Sequence, residues 1–249
     1  MPRTVLVTGA ARRIGAAIAR HLAGEGCRVA IHYHEHEEEA LALADSLPGA
    51  VALPGDLADA ATPAALVAAV RAAFGVPLAG LVNSASLFRF DAAPRINPAL
   101  LAEHHAVNLA APALLASALA LQDDLTEGAV VNLLDQKLAN PNPDFFSYSA
   151  AKFALGGATT MLAQALGPRI RVNAVSPGIT LPSGGQSEAE FRAVASDNLL
   201  RRPVAIDDIA RAVAWLLDAR GVTGQNLFVD CGQRFVPSAR DVMFGTAHD

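Results

Sequence analysis

Short apolar runs alternate with longer stretches of helical period along nearly the whole chain. Val5-Leu6-Val7 leads into 14–23, where apolar residues fall at 14, 18, 19 and 22. Val29-Ala30-Ile31 leads into an acidic stretch over 37–47, Val51-Ala52-Leu53 into 63–74, and Leu81-Val82 into a long helical region running through 121. Residues 130–134 precede a helix over 148–166, Val172-Asn173-Ala174-Val175 precedes a polar segment and a helix over 209–217, and Leu227-Phe228-Val229 closes the series. Strands this apolar are buried on both faces, as in parallel sheets with helices on either side. Seven of them predict a doubly wound α/β sheet that holds its ligand at the carboxyl ends of the strands. No repeat, low-complexity stretch or linker divides the sequence, so one domain over 1–249 is expected, with a Pro-, Ser- and Gly-containing segment at about 180–200 as a substrate lid or a plain surface loop.

Apolar residues make up 52% of the chain and charged residues 17%, enough for a large core. The net charge of −5 gives no attraction to nucleic acid or anionic membranes. No apolar stretch approaches the ~18 residues of a membrane span, and the N-terminal residues run directly into a strand, so a cytoplasmic location is expected. Cys27 and Cys231 are too few for a disulfide framework or a metal cluster and read as reduced thiols. His32, His34 and His36 alternate as one face of a strand would, but no matching ligands occur elsewhere, and no metal is expected.

Thr8-Gly9-Ala10-Ala11-Arg12-Arg13-Ile14-Gly15 lies between the first strand and the first helix. A pyrophosphate needs close backbone approach and free N–H groups at a helix N-terminus. Gly9 allows the tight turn, Gly15 allows close helix–strand packing, and Arg12 and Arg13 add charge-assisted hydrogen bonds. Further along, Tyr148-Ser149-Ala150-Ala151-Lys152 puts a phenol and an ammonium on one helical face. A free phenol, with pKa near ~10, lies roughly three units above neutral pH, a gap of about 4 kcal/mol. A neighbouring cation narrows that gap, so the tyrosine can exchange protons with a substrate. The same spacing also arises by chance on surface helices, although the chain holds only two lysines and two tyrosines.

In chain order these motifs resemble the short-chain dehydrogenase/reductase family over essentially the whole sequence. Asn83-Ser84-Ala85-Ser86 stands where the family has Asn-Asn-Ala-Gly, and Asn108 where it has a helix asparagine that supports a relay water. Pro177-Gly178, with Thr180 beyond it, matches the nicotinamide-binding turn, and Val222 to Gln225 and Val229 to Gly232 match the last strand region. The resemblance implies a Rossmann-type fold and a catalytic set of Tyr148, Lys152 and Asn108. Three departures are similar to pteridine reductases: the Arg12-Arg13 pair, Asp135 in place of a serine thirteen residues before the tyrosine, and Phe88, where that branch stacks a pterin. A carboxyl at 135 suits reduction of a C=N bond. The alternative readings are a loop-capping role for Asp135 and a place in the core for Phe88.

The resemblance further implies a dinucleotide held by Gly9, Arg12, Arg13, Ile14, Gly15, Asn83, Ala85 and Lys152. At the end of the second strand, NAD-specific enzymes place an acidic residue, but here Tyr33 occupies that position, followed by His34. This favours NADP(H), with NAD(H) still possible because Glu35 would repel a 2′-phosphate. Asp56 and Leu57 are the implied adenine contacts. The expected activity is hydride transfer from NADP(H) to a pterin or dihydropterin, with Asp135, Tyr148 and Phe88 at the substrate. The alternatives are a carbonyl or hydroxyl substrate, or a dinucleotide-binding regulator. The family resemblance also implies a homotetramer.

Overall fold

The computed structural model describes residues 3–182 and 187–244. Strands β1 (Thr4–Val7), β2 (Arg28–Tyr33), β3 (Val51–Pro54), β4 (Gly80–Asn83), β5 (Gly128–Leu133), β6 (Ile170–Pro177) and β7 (Asn226–Val229) form one parallel sheet in the order β3-β2-β1-β4-β5-β6-β7. The helices are α1 (Arg13–Gly24), α2 (Glu37–Ser46), α3 (Thr62–Phe74), α4 (Pro98–His105), α5 (Ala111–Ala120), α6 (Phe146–Leu166), α7 (Glu188–Ala195) and α8 (Ile206–Asp218). After β3 the chain crosses back past β1 to place β4 on its other side. That reversal opens a crevice at the carboxyl ends of β1 and β4. This is the expected Rossmann-type α/β fold, with every predicted strand in place.

Alternation within the strands divides the apolar residues between two cores. Val5, Val7, Val29 and Ile31 pack with Ile18, Leu22, Ile209 and Val213 under α1 and α8. Leu6, Ala30, Leu81 and Val130 pack with Leu66, Leu115 and Leu119 under α3 and α5. Acidic residues in the first turns of α2 and α8 complement the positive ends of those helices.

Two segments depart from the expected pattern. The helical region predicted through 121 is interrupted: after β4 the chain runs to Asn97 with only a 3-10 turn, Ala93–Arg95. Pro94 and Pro98 cannot continue a helix from the preceding residues. Asn97 instead caps α4, its Oδ1 accepting from the N–H groups of Ala99 and Leu100 at 3.0 and 3.3 Å. A π-helical turn, Ala106–Ala110, then joins α4 to α5. The lid expected at 180–200 contains α7, which buries Phe191, Val194 and Ala195. Residues 183–186 of that lid lie outside the described residues.

The histidine run is absorbed by the fold. His32 is buried on β2, its Nδ1 accepting from the Gly9 N–H at 3.1 Å and its Nε2 lying 3.1 Å from the Gly55 carbonyl. Only a neutral imidazole protonated at Nε2 satisfies both bonds. It thereby ties the turn after β1 to the turn after β3. Burial holds its pKa down at about 4, with His34 adding repulsion. Because the folded form is the poorer proton binder, its contribution to stability is complete above pH ~6.5 and is lost as pH falls towards 4. At pH ~5 the loss is about 2 kcal/mol. In urea unfolding, the stability lost between pH 7 and 5 is expected to be about 2 kcal/mol smaller in His32→Asn than in the parent.

Candidate active site

The crevice begins at the turn after β1. Gly9 has φ of +61°, and a Cβ there would meet the Ala85 Cα at 2.7 Å, so the turn lies directly against the chain leaving β4. A Cβ on Gly15 would meet the Gly9 carbonyl oxygen at 2.4 Å, so α1 also sits as close as a glycine permits. Thr8 locks this approach, its Oγ1 accepting from the N–H groups of Ser84 and Ala85, both at 3.0 Å. Among the described residues no side chain caps the first turn of α1, whose N-cap residue is Arg12. Arg13 has φ of +56°, the left-handed region that favours glycine, and its Nη2 donates to the Pro182 carbonyl at 2.8 Å. Burial and the neighbouring Arg12 lower the pKa of its guanidinium.

Arg12, Arg13, Ile14 and Gly15 line one side of the crevice, and Ala85 faces them. Tyr33, His34 and Glu35 close its β2 end, with Asp56 and Leu57 beside them. The crevice continues into a second cavity, and Arg13, Ile14, Phe88, Asp135 and Tyr148 line both. Lys152, Pro177, Gly178 and Thr180 lie along that second cavity.

At the junction, the Tyr148 hydroxyl donates to Asp135 Oδ2 at 2.6 Å. Asp135 stands just beyond β5, and its Oδ1 accepts from the Lys137 N–H at 2.8 Å. Lys152, one turn along α6, donates from Nζ to the Leu133 carbonyl at 2.7 Å. The N-terminus of α6 is fixed from outside: Asp91 accepts from the Ser147 N–H at 2.9 Å and from its hydroxyl. Phe88 stacks on Phe145 with centroids 4.1 Å apart and meets Tyr148 edge-on at 4.7 Å. One face of Phe88 is therefore already covered.

Burial raises the Asp135 carboxyl above its ordinary range, opposed by the Lys137 N–H, Tyr148, and the charges of Lys137 and Lys152. Burial also pulls Lys152 down to about 8. Tyr148 is pushed well above 10, by burial first and then by Asp135. The expectation that Lys152 lowers this phenol is thus corrected. The ammonium lies over the ring, 5.7 Å from its centroid, while the carboxylate is bonded to the oxygen itself.

Residues 9–234 match the family described as enoyl-(acyl carrier protein) reductase. The chain is 31% identical over 252 residues to the 3-oxoacyl-[acyl-carrier-protein] reductase FabG of Staphylococcus aureus, covering 93% of this chain and 98% of that protein. The chain belongs to the short-chain dehydrogenase/reductase family. An uncharacterized oxidoreductase of Methylorubrum extorquens is 33% identical over 244 residues, covering 93% of this chain and 98% of the relative. Among solved structures, the FolM alternative dihydrofolate reductase 1 of Brucella canis, complexed with NADP, superimposes with a TM-score of 0.90 at 40% identity, covering 96% of each chain. A metagenomic blue fluorescent protein in complex with NADPH gives a TM-score of 0.82 at 32% identity, covering 93% of this chain and 97% of that one.

As a short-chain dehydrogenase/reductase, the chain places two expected site residues away from the cavities. Asn83 is buried and its Nδ2 donates to Asn132 Oδ1 at 2.8 Å, while Asn132 Nδ2 donates to Thr159 Oγ1, so its amide braces β4 against β5 and α6. Asn108 lies in the π-helical turn with its side chain bonded to both the N–H and the carbonyl of Leu87, each at 2.8 Å. Its amide thus fixes the loop carrying Phe88 and is not presented to the cavity. Conversely, Gln233 escaped the sequence reading. It accepts from the Ile179 N–H at 2.9 Å and holds the Pro177–Thr180 turn from across the sheet edge. Its only sequence trace is its place just after Val229 to Gly232. Gly15→Ala is expected to destabilise this enzyme by about 1–3 kcal/mol in thermal or urea unfolding, because the methyl would press on backbone that cannot move aside.

Proposed function

We propose that this short-chain dehydrogenase/reductase is an NADP(H)-dependent reductase acting on the C=N bond of a pterin or dihydropterin. The observation that carries this reading is Asp135, a carboxyl raised by burial and hydrogen-bonded at 2.6 Å to Tyr148 beside Phe88. A serine hydroxyl at that place can only polarise a carbonyl, whereas a carboxyl can pass a proton to a ring nitrogen. The NADP complex of the FolM structure supports the same cofactor here.

The crevice suits a dinucleotide. Close backbone at Gly9 and Gly15, an uncapped helix N-terminus and the guanidinium of Arg13 together make an anion site. When bound, the reduced cofactor supplies a hydride. Arg12 and Arg13 hold phosphates, Lys152 binds the ribose, and the turn from Pro177 to Thr180 orients the nicotinamide. Phe88 offers its uncovered face to a flat ring. As the substrate carbon accepts the hydride, the Asp135–Tyr148 pair delivers a proton to the adjacent nitrogen and recovers one from water at the cavity mouth. The lid over 180–200 and a homotetramer belong to the same proposal. Leu114 on α5 and Phe153 and Met161 on α6 remain exposed and apolar, as a helix-on-helix assembly would require.

A carbonyl substrate is the second reading, favoured by the kinship to a 3-oxoacyl reductase. Steady-state assays with dihydrobiopterin, dihydrofolate and a ketone panel separate the two. Ketone turnover without pterin turnover would end the pterin reading. Tyr148→Phe is expected to lower kcat by ~10²–10⁴, and an unchanged rate would overturn the catalytic assignment of Tyr148. Glu35 lines the crevice beside Tyr33 and His34. Glu35→Gln is expected to tighten NADPH binding by about two- to five-fold at low salt and leave NADH unchanged, as read by fluorescence titration.

A further inference from the structure

Two of the nineteen basic residues in the chain are lysines, and both line the substrate cavity. Lys152 has a proposed role; Lys137 has none. Its side chain is buried in the 3-10 turn Gln136–Leu138, immediately after Asp135. The Lys137 ammonium lies 2.8 Å from Asp241 Oδ2, donates to the Asp144 carbonyl at 3.1 Å, and sits 5.3 Å from the centre of the Phe145 ring. Asp144 Oδ2 accepts from Arg240 Nε at 2.7 Å and from the Asp241 N–H at 2.8 Å, and the Asn140 amide donates to the Val236 carbonyl at 2.7 Å. The turn after β5 is thus stitched to a segment nearly a hundred residues later. Val236, Ser238, Arg240, Asp241 and Met243 from that segment line the same cavity as Asp135 and Tyr148.

We propose that Lys137, through its ion pair with Asp241, is a positioning residue that fastens the 236–244 segment as one wall of the substrate cavity and balances the charge beside the Asp135–Tyr148 pair. Its main chain holds Asp135 Oδ1 while its side chain holds the cavity wall, so one residue connects the wall to the proton donor. The electrostatics agree. The Lys137 charge pulls Asp135 down, and the Asp241 charge pushes Tyr148 up. The other charged groups around the pair are Lys152 on α6, Arg13 from the phosphate turn, Asp197 ahead of α8, and Arg240 bound to Asp144. Neither partner can be removed without leaving an uncompensated charge in a buried place.

The inference rests on the reading of Asp135 and Tyr148 as the proton donor, and its signature is one of sign. Reduction fails at high pH when that donor loses its proton. Lys137→Met leaves Asp241 unopposed and is expected to move the alkaline limb of kcat/KM up by about one pH unit. Asp241→Asn leaves Lys137 unopposed and should move it down by a similar amount. The double variant should return towards the parent, and Lys137→Arg should stay near it. Free of cofactor and substrate, the protein labelled with 13C at aspartate carboxyls should show the same opposite shifts in the resonance that Asp135→Asn removes. Amide exchange over 236–244 should quicken about tenfold in either single variant. Limbs and resonances that stay put, or move the same way in both variants, overturn the proposal. So does unchanged exchange. If Lys137→Met does not fold, Asp241→Asn and Lys137→Arg still decide it, since only the first should shift the Asp135 resonance. If Asp135→Asn leaves turnover intact, the donor reading is lost, while the ligand-free titration and exchange still judge the coupling.

Discussion

A carboxyl and a phenol share one hydrogen bond at the carboxyl edge of the sheet, largely withdrawn from water. Removing such groups from solvent is expensive, and so is burying the Lys152 ammonium beneath them. The rest of the architecture makes that arrangement tolerable. Two apolar cores hold β5 rigid from both faces, and α6 enters against Asp91, which fixes where Tyr148 and Lys152 project. The Leu133 carbonyl, at the end of β5, gives the ammonium its partner. The raised carboxyl follows from this setting, because desolvation outweighs the two lysine charges nearby.

Features with local causes could be read from the sequence. The strands are apolar because both faces are buried, and the Gly9 and Gly15 spacing reflects contacts within one turn. The Tyr148–Lys152 offset is a property of any helix. What the sequence could not carry were partnerships set by the third dimension. Asn83 and Asn108 sit where the family pattern puts them, yet their amides face Asn132 and Leu87. Whether an asparagine at the end of a strand points into the crevice or along the sheet depends on partners about fifty residues away. The α7 helix is hidden for another reason: it spans only eight residues, next to a stretch of Pro, Ser and Gly that reads as loop. The shift of Tyr148 is not legible in the sequence, because spacing puts the lysine near the ring but says nothing of a carboxylate at the oxygen.

The turn after β1 shows two requirements in competition. A left-handed residue is most easily a glycine, and an arginine there carries strain of roughly 1–2 kcal/mol. In exchange the turn gains a guanidinium that faces both cavities and bonds the Pro182 carbonyl. His32 stiffens the same turn from below, using the Gly9 N–H that would otherwise be open to a ligand. In the proposed dinucleotide complex the anion would therefore be left to the uncapped start of α1 and its arginines.

The near-absence of lysine has a practical side. Both lysines are buried while the arginines carry the positive charge of the outer surface, so acylating reagents that modify solvent-facing amines meet no lysine target on the outside of the fold. Slow acylation at either lysine would instead record excursions in which the cavity opens. Covalent labelling would then serve as a clock for the breathing of that cavity, with no background from surface lysines.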